Sequence, residues 1–209
     1  MIAALFVIKN GGYYGLDNID PWDVERDARK YSGPHPVIAH PPCERWGRYW
    51  GGGPMLVGTP RQKILGDDNG CFETALNAVR KHGGIIEHPE GSHAWRAFDL
   101  NLPPRSGGWV NADFCGGFTC CVEQGAYGHR ARKATWLYAH AVDLPSLKWG
   151  KTPGNFDLLD EGFHSKEERD RKIKTGICQR LSKKQRLSTP TKFRNLLISI
   201  ASTAVENKI

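Results

Sequence analysis

The segment 36–46, Pro-Val-Ile-Ala-His-Pro-Pro-Cys-Glu-Arg-Trp, restricts this chain more than any other. Val37-Ile38-Ala39 is an apolar run without alternation, the pattern of a strand covered on both faces. Pro41 and Pro42 cannot extend a hydrogen-bonded ladder, and no helix can begin until Cys43 is passed. The run is therefore expected to be a buried strand that stops at a rigid corner and delivers one thiol there. In open α/β sheets the loops at the carboxyl ends of strands form the ligand crevice, which makes Cys43 the first candidate for chemistry. The competing reading is a structural cysteine packed as a small hydrophobe.

The same grammar recurs along the chain. Residues 1–8 read as a first strand, and Ile85-Ile86 as a short buried strand ending in Glu87-His88-Pro89, so a second strand tip presents a carboxylate. Between them the spacing predicts a helix over 68–81, with Phe72, Ala75, Leu76 and Val79 on one face and Gly83-Gly84 as the stop. A right-handed crossover of that length sets two parallel strands in one sheet with their carboxyl ends together, so Cys43 and Glu87 are expected to share a cleft. A shorter helix is expected over 20–31, with Pro21 in its first position. Residues 91–117 read as irregular with one short strand. Residues 118–122 and 134–139 read as a hairpin with a basic tip. After a surface connection over 144–163, Phe193, Leu196, Leu197, Ile200 and Ala204 define an amphipathic helix that docks on the core. The expected class is α/β: a single, mostly parallel Rossmann-like sheet flanked by helices over 1–163, followed by a basic segment and a docking helix over 164–209.

A chain of 209 residues suits one domain, and 39% hydrophobic content with seven Trp, six Tyr and eight Phe excludes a disordered chain. The net charge of +7 favours a polyanionic partner. Its distribution is uneven: residues 165–186 hold nine cationic against three acidic side chains, including Lys183, Lys184 and Arg186, and read as a phosphate-tracking arm or a solvated charged face. Trp46, Arg48, Tyr49 and Trp50 alternate with glycine just beyond Cys43 and Arg45, an arrangement suited to stacking and phosphate contacts with a nucleotide. No window approaches the roughly 20 apolar residues of a membrane span, and residues 1–8 lack the flanks of a signal peptide, so no membrane partner is expected. The six cysteines show no regular framework, which points to a reducing cytoplasm. Cys115, Cys120, Cys121 and His129 could hold zinc, but adjacent cysteines depart from the usual ligand spacing, and no metal is expected.

Taken in order, Pro41-Pro42-Cys43, then Glu87-His88-Pro89, then 127–133 (Tyr-Gly-His-Arg-Ala-Arg-Lys) before a strand resembles a pared-down catalytic half of the DNA cytosine-5 methyltransferases. That family carries Pro-Cys at one strand end, Glu-Asn-Val or Glu-Asn-Pro at the next, and a Gln-x-Arg-x-Arg loop further on. The resemblance covers roughly residues 36–140 and implies a methyltransferase-like sheet. It implies that Cys43 adds to carbon 6 of a pyrimidine, that Glu87 holds the ring edge, and that Arg130 or Arg132 anchors the cysteine loop and base. Neighbouring guanidinium groups would then lower the thiol pKa. Arg45, Trp46, Arg48, Tyr127 and His129 become candidate contacts to the substrate. His88 stands in place of the family's Asn, and His129 where its Gln aligns.

The S-adenosylmethionine half of the pattern departs further. No Phe-x-Gly-x-Gly loop follows the first strand; the nearest substitute is Asn10-Gly11-Gly12, with Asp17 or Asp20 at the acidic ribose position. S-adenosylmethionine is therefore expected to bind weakly, not at all, or in a different pocket. The segment 188–194 is also similar to the ends of small methyltransferase-like proteins of bacterial viruses, which would place the protein in a bacterial host cell. Three classes follow: a pyrimidine-modifying enzyme acting on DNA in preference to RNA, a catalytically inactive relative that binds DNA or a nucleotide, and a zinc protein.

If the segment 166–186 tracks phosphates, DNA affinity falls steeply with salt, and replacing Lys183, Lys184 and Arg186 together by Ala weakens binding and flattens the log–log salt slope by roughly 2–3. An unchanged slope removes the arm from the interface.

Overall fold

The computed structural model describes residues 1–52, 55–157, 159, 167, 170 and 181–204. Its strands are β1 (Ile2–Leu5), β2 (Ile19–Trp22), β3 (Val37–Ala39), β4 (Gly84–Pro89), β5 (Val110–Asn111), β6 (Phe118–Glu123) and β7 (Ala134–His140). The helices are α1 (Cys71–His82), α2 (His93–Ala97), α3 (Lys183–Leu187) and α4 (Thr191–Ala201). One sheet takes the order β2-β1-β3-β4-β7-β6-β5. Pairings among β2, β1, β3 and β4 are parallel, and those from β4 through β7 and β6 to β5 are antiparallel.

This corrects the expected mostly parallel Rossmann-like sheet flanked by helices: the sheet is mixed, and its connections are mainly loops. One physical reason lies in residues 20–31. Ile19–Trp22 pairs with β1 as an edge strand, where the missing N–H of Pro21 is tolerated. The carboxylate of Asp23 then accepts from the N–H groups of Glu25 and Arg26, a local turn that competes with a helix, and only the 3-10 turn Ala28–Lys30 follows. A second reason lies beyond β4. Its only described helix before β5 is the five-residue α2, so no long crossover returns the chain in parallel, and the β6–β7 hairpin closes the sheet instead.

Helix α1 forms as its spacing predicts. Asp68 accepts from the N–H groups of Gly70 and Phe72 at its start, and Gly83 ends it at φ 73°. Phe72, Leu76 and Val79 are almost wholly buried, each contributing roughly 1.5–3 kcal/mol of transfer free energy. They share a layer with Leu5, Val37, Ile86, Trp95 and Tyr138 on one face of the sheet. Helix α4 covers the other face, where Phe193, Leu197 and Ile200 pack with Ala4, Ile38, Ile85 and Leu137. Gly84 is required where β3 and β4 meet: a Cβ there would lie 1.9 Å from the Val37 carbonyl oxygen.

On the α1 face Asp113 forms a clasp. It accepts from Arg80 (2.8 Å), from the Tyr138 hydroxyl (2.8 Å) and from the N–H groups of Cys115 and Gly117. Burial pushes its carboxyl up, but Arg80, Gly117 and Tyr138 together hold it below the usual range. Because removing one partner strands the others, Asp113→Ala should cost about 3 kcal/mol in urea unfolding. Lys9→Ala, which breaks the exposed pair with Glu25, should cost less than about 1 kcal/mol.

Candidate functional site

Register brings the site together. Ala39 of β3 lies beside Ile86 of β4, so the next residue on each strand, His40 and Glu87, emerges on the same face of neighbouring parallel strands. His40 Nδ1 meets Glu87 Oε2 at 3.0 Å, and the Tyr13 hydroxyl donates to His40 Nε2 at 2.8 Å. Just beyond β6, the Gln124 side-chain amide donates to Glu87 Oε1 (2.9 Å) and to Thr135 Oγ1 (3.0 Å). Thr135 in turn donates to the Lys133 carbonyl (3.0 Å). Both carboxylate oxygens are thus fixed, and Glu87 is a pure acceptor, so His40 carries its proton on Nδ1. The Gln124 carbonyl oxygen is buried without a partner among the described residues.

Burial opposes the charge on Glu87, yet the His40 hydrogen bond and the positive charge of Lys133 outweigh it and pull the carboxyl down to about 2. Tyr13 moves the other way: burial and the Glu87 charge raise its hydroxyl far above the usual range. His88 points to the opposite face, between Phe72 and Trp95, with Ser92 Oγ 2.7 Å from Nδ1. Burial pulls it down to about 4 against the opposing influence of Glu87 and the Pro41 and Pro42 carbonyls, so it is neutral near pH 7. The ring therefore serves as a strut under the Pro-Pro corner.

Cys43 sits half-buried at that corner, within the field of Glu87 and Lys133. Burial, reinforced by Glu87, raises the thiol above its ordinary 9.0, and Lys133 opposes the shift. This reverses the expected lowering by guanidinium groups. Arg130 is turned to Asp157 (2.7 Å). Arg132 donates to the Thr152 and Gly154 carbonyls, lies over Phe156 and pairs with Glu123 at 3.7 Å. The positive charge that acts on the thiol is that of Lys133, whose ammonium donates to the Ser188 carbonyl at 3.3 Å.

Other expected contacts are distributed differently. Trp46 is a core residue, packed on Phe72 and Phe98 with its indole N–H donating to Asp68. Arg45 donates to the Trp50 carbonyl, while Arg48 is exposed and lies over Tyr49. Tyr127 is buried against Phe193, and its hydroxyl accepts from Lys148 N–H. His129 is buried, accepts from Ala131 N–H, and is pulled down by that burial. Lys184 is exposed and Arg186 half-buried in α3, whereas the Lys183 side chain and most of the arm, 166, 168–169 and 171–180, lie outside the described residues. Cys120 and Cys121 point to opposite faces of the sheet, so the zinc set is not assembled.

The tip of β1 tests the fit of S-adenosylmethionine. Gly11 is folded onto the Ile8 carbonyl, and Arg194 of α4 donates to the Gly12 carbonyl at 2.6 Å. Tyr14 donates to Asp23, Asp20 is held by Arg26 and Trp22, and Asp17 is exposed. Asn10, Gly11 and Asp17 make no cradle there, and the nearby carboxylates are engaged within the protein, so the residues present do not fit the donor. Family models, curated proteins and solved structures return no match to the chain. The site therefore has to be read from its own geometry.

Sequence reasoning missed Tyr13, His40, Gln124 and Lys133. His40 and Gln124 carried the signal that found Glu87, a polar residue closing an apolar run; Tyr13 carried none.

At pH 7 iodoacetamide should label Cys43 more slowly than the exposed Cys115, as read by peptide mapping. Because only the thiolate reacts, the Cys43 rate should climb through and beyond pH 9, and Lys133→Ala should move that climb to higher pH. Faster labelling of Cys43 than Cys115 at pH 7 would contradict this environment.

Proposed function

We propose that the protein is a DNA cytosine-5 methyltransferase-like protein that engages a pyrimidine base in DNA through Cys43. The observation that supports this reading is that Cys43 and Glu87, beyond and on the adjacent parallel strands β3 and β4, share the field of Lys133 just before β7. The Cys43 thiol loses its proton to solvent, aided by Lys133, and sulfur bonds to carbon 6 while the carbon 5–carbon 6 π pair moves onto carbon 5. Carbon 5 takes a proton from water. Loss of a proton from carbon 5 and expulsion of the thiolate restore the base. Glu87, fixed by His40 and Gln124, accepts from the amino edge of the ring and holds it in place. S-adenosylmethionine takes no part in this exchange, since the tip of β1 does not fit it.

A second reading, a catalytically inactive relative that holds DNA or a nucleotide, is favoured by the raised thiol and by that misfit. Exchange of the cytosine carbon 5 hydrogen for deuterium in an oligonucleotide, followed by mass spectrometry, separates the two. Active protein should exchange it, Cys43→Ser should abolish exchange, and Glu87→Gln should slow it about a hundredfold. Oligonucleotide binding without exchange supports the inactive relative; neither binding nor exchange sinks both.

A further inference from the structure

A cleft of about 470 Å³ lies beside the ends of β6 and β7. Its lining includes Cys121, Ala134 and Glu123 together with Arg105, Arg132 and Lys151. Ala134 directly follows Lys133, whose charge acts on Cys43.

The polar groups around it are unevenly spent. Glu123, the carboxylate in the lining, accepts from Thr152 N–H at 2.8 Å and pairs with Arg132, so its charge is answered within the protein. Arg132 spends Nε and one terminal nitrogen on carbonyls, and its other terminal nitrogen has no partner among the described residues. Arg105 is 77% exposed and tied only through Nε to Glu90 at 3.1 Å, leaving both terminal nitrogens open among the described residues. Lys151 has no partner among them. Donors on three cationic side chains therefore line a hollow of ligand size, together with Val122 and Ala134. Guanidinium forks match phosphate oxygens in pairs, and a multiply charged anion can engage separated cations together.

We propose that this cleft binds a phosphate group, carried either by a free nucleotide or by a nucleic-acid strand. It is separate from the reading of Cys43 and stands without it. The test is an ¹H–¹⁵N NMR titration of the full chain with sodium pyrophosphate, with deoxycytidine diphosphate and with a short single-stranded oligonucleotide. All three should shift the Gly150 and Lys151 amides saturably. Arg105→Ala with Lys151→Ala should weaken each by about tenfold, the usual scale for lost charge-assisted hydrogen bonds. Tighter binding of the diphosphate than of the oligonucleotide identifies a free nucleotide as the source, and the reverse order, with a steep salt dependence, identifies a strand. Cys43→Ser should bind pyrophosphate, which carries no base, like the parent, which keeps this result independent of base chemistry. Absence of saturable shifts at Gly150 and Lys151, unchanged affinity in the double variant, or loss of pyrophosphate binding in Cys43→Ser would overturn the proposal.

Discussion

A buried carboxylate is expensive unless its oxygens are engaged and its charge is answered, and the arrangement around Glu87 is the solution that the strand tips share. His40 answers it from β3, Gln124 from the end of β6, and Lys133 from the approach to β7. Tyr13 then satisfies the far side of the imidazole. Remove the carboxylate and His40 Nδ1 and the Gln124 amide each lose an acceptor. The same charge also sets the character of Cys43, which it disfavours as a thiolate while Lys133 favours it. The thiol is thus poised by two opposing neighbours rather than activated by one.

Much of this was legible in the sequence where a local rule sufficed. The Val37–Ala39 run, the Phe72-to-Val79 face, the Gly83-Gly84 stop, the β6–β7 hairpin and the Phe193-to-Ile200 face all follow from periodicity and punctuation, and each forms. What failed depended on competition between local rules or on distant partners. Asp20-Pro21 satisfies a helix start and an edge strand equally well, and pairing with β1 decided between them. Trp46 reads as a stacking face only until Asp68 and Phe72 are seen to enclose it. Arg130 and Arg132 carry the right charge, but Asp157 and Glu123 hold them elsewhere, and it is the charge of the adjacent Lys133 that acts on the thiol.

The mixed sheet follows from economy of connection. Four parallel strands need crossovers, and only the step from β3 to β4 uses a full helix to make one. The remaining half closes by a hairpin, which needs no covering layer to join its strands. In this arrangement the hairpin end and the parallel tips lie along one edge, which is why residues from β3, β4, β6 and β7 can meet.

That meeting has a consequence for how the protein is assembled. Tyr13 and Thr135 belong to one hydrogen-bonded network although more than half the chain separates them. Contacts of such sequence separation carry a large loop-closure cost before they return any stabilisation. The electrostatic setting of Cys43 is consequently a property of the completed sheet: a chain halted before β7 has the corner and the thiol but neither Lys133 nor Gln124 in place. The chemistry of one cysteine is in this way tied to the topological completeness of the domain.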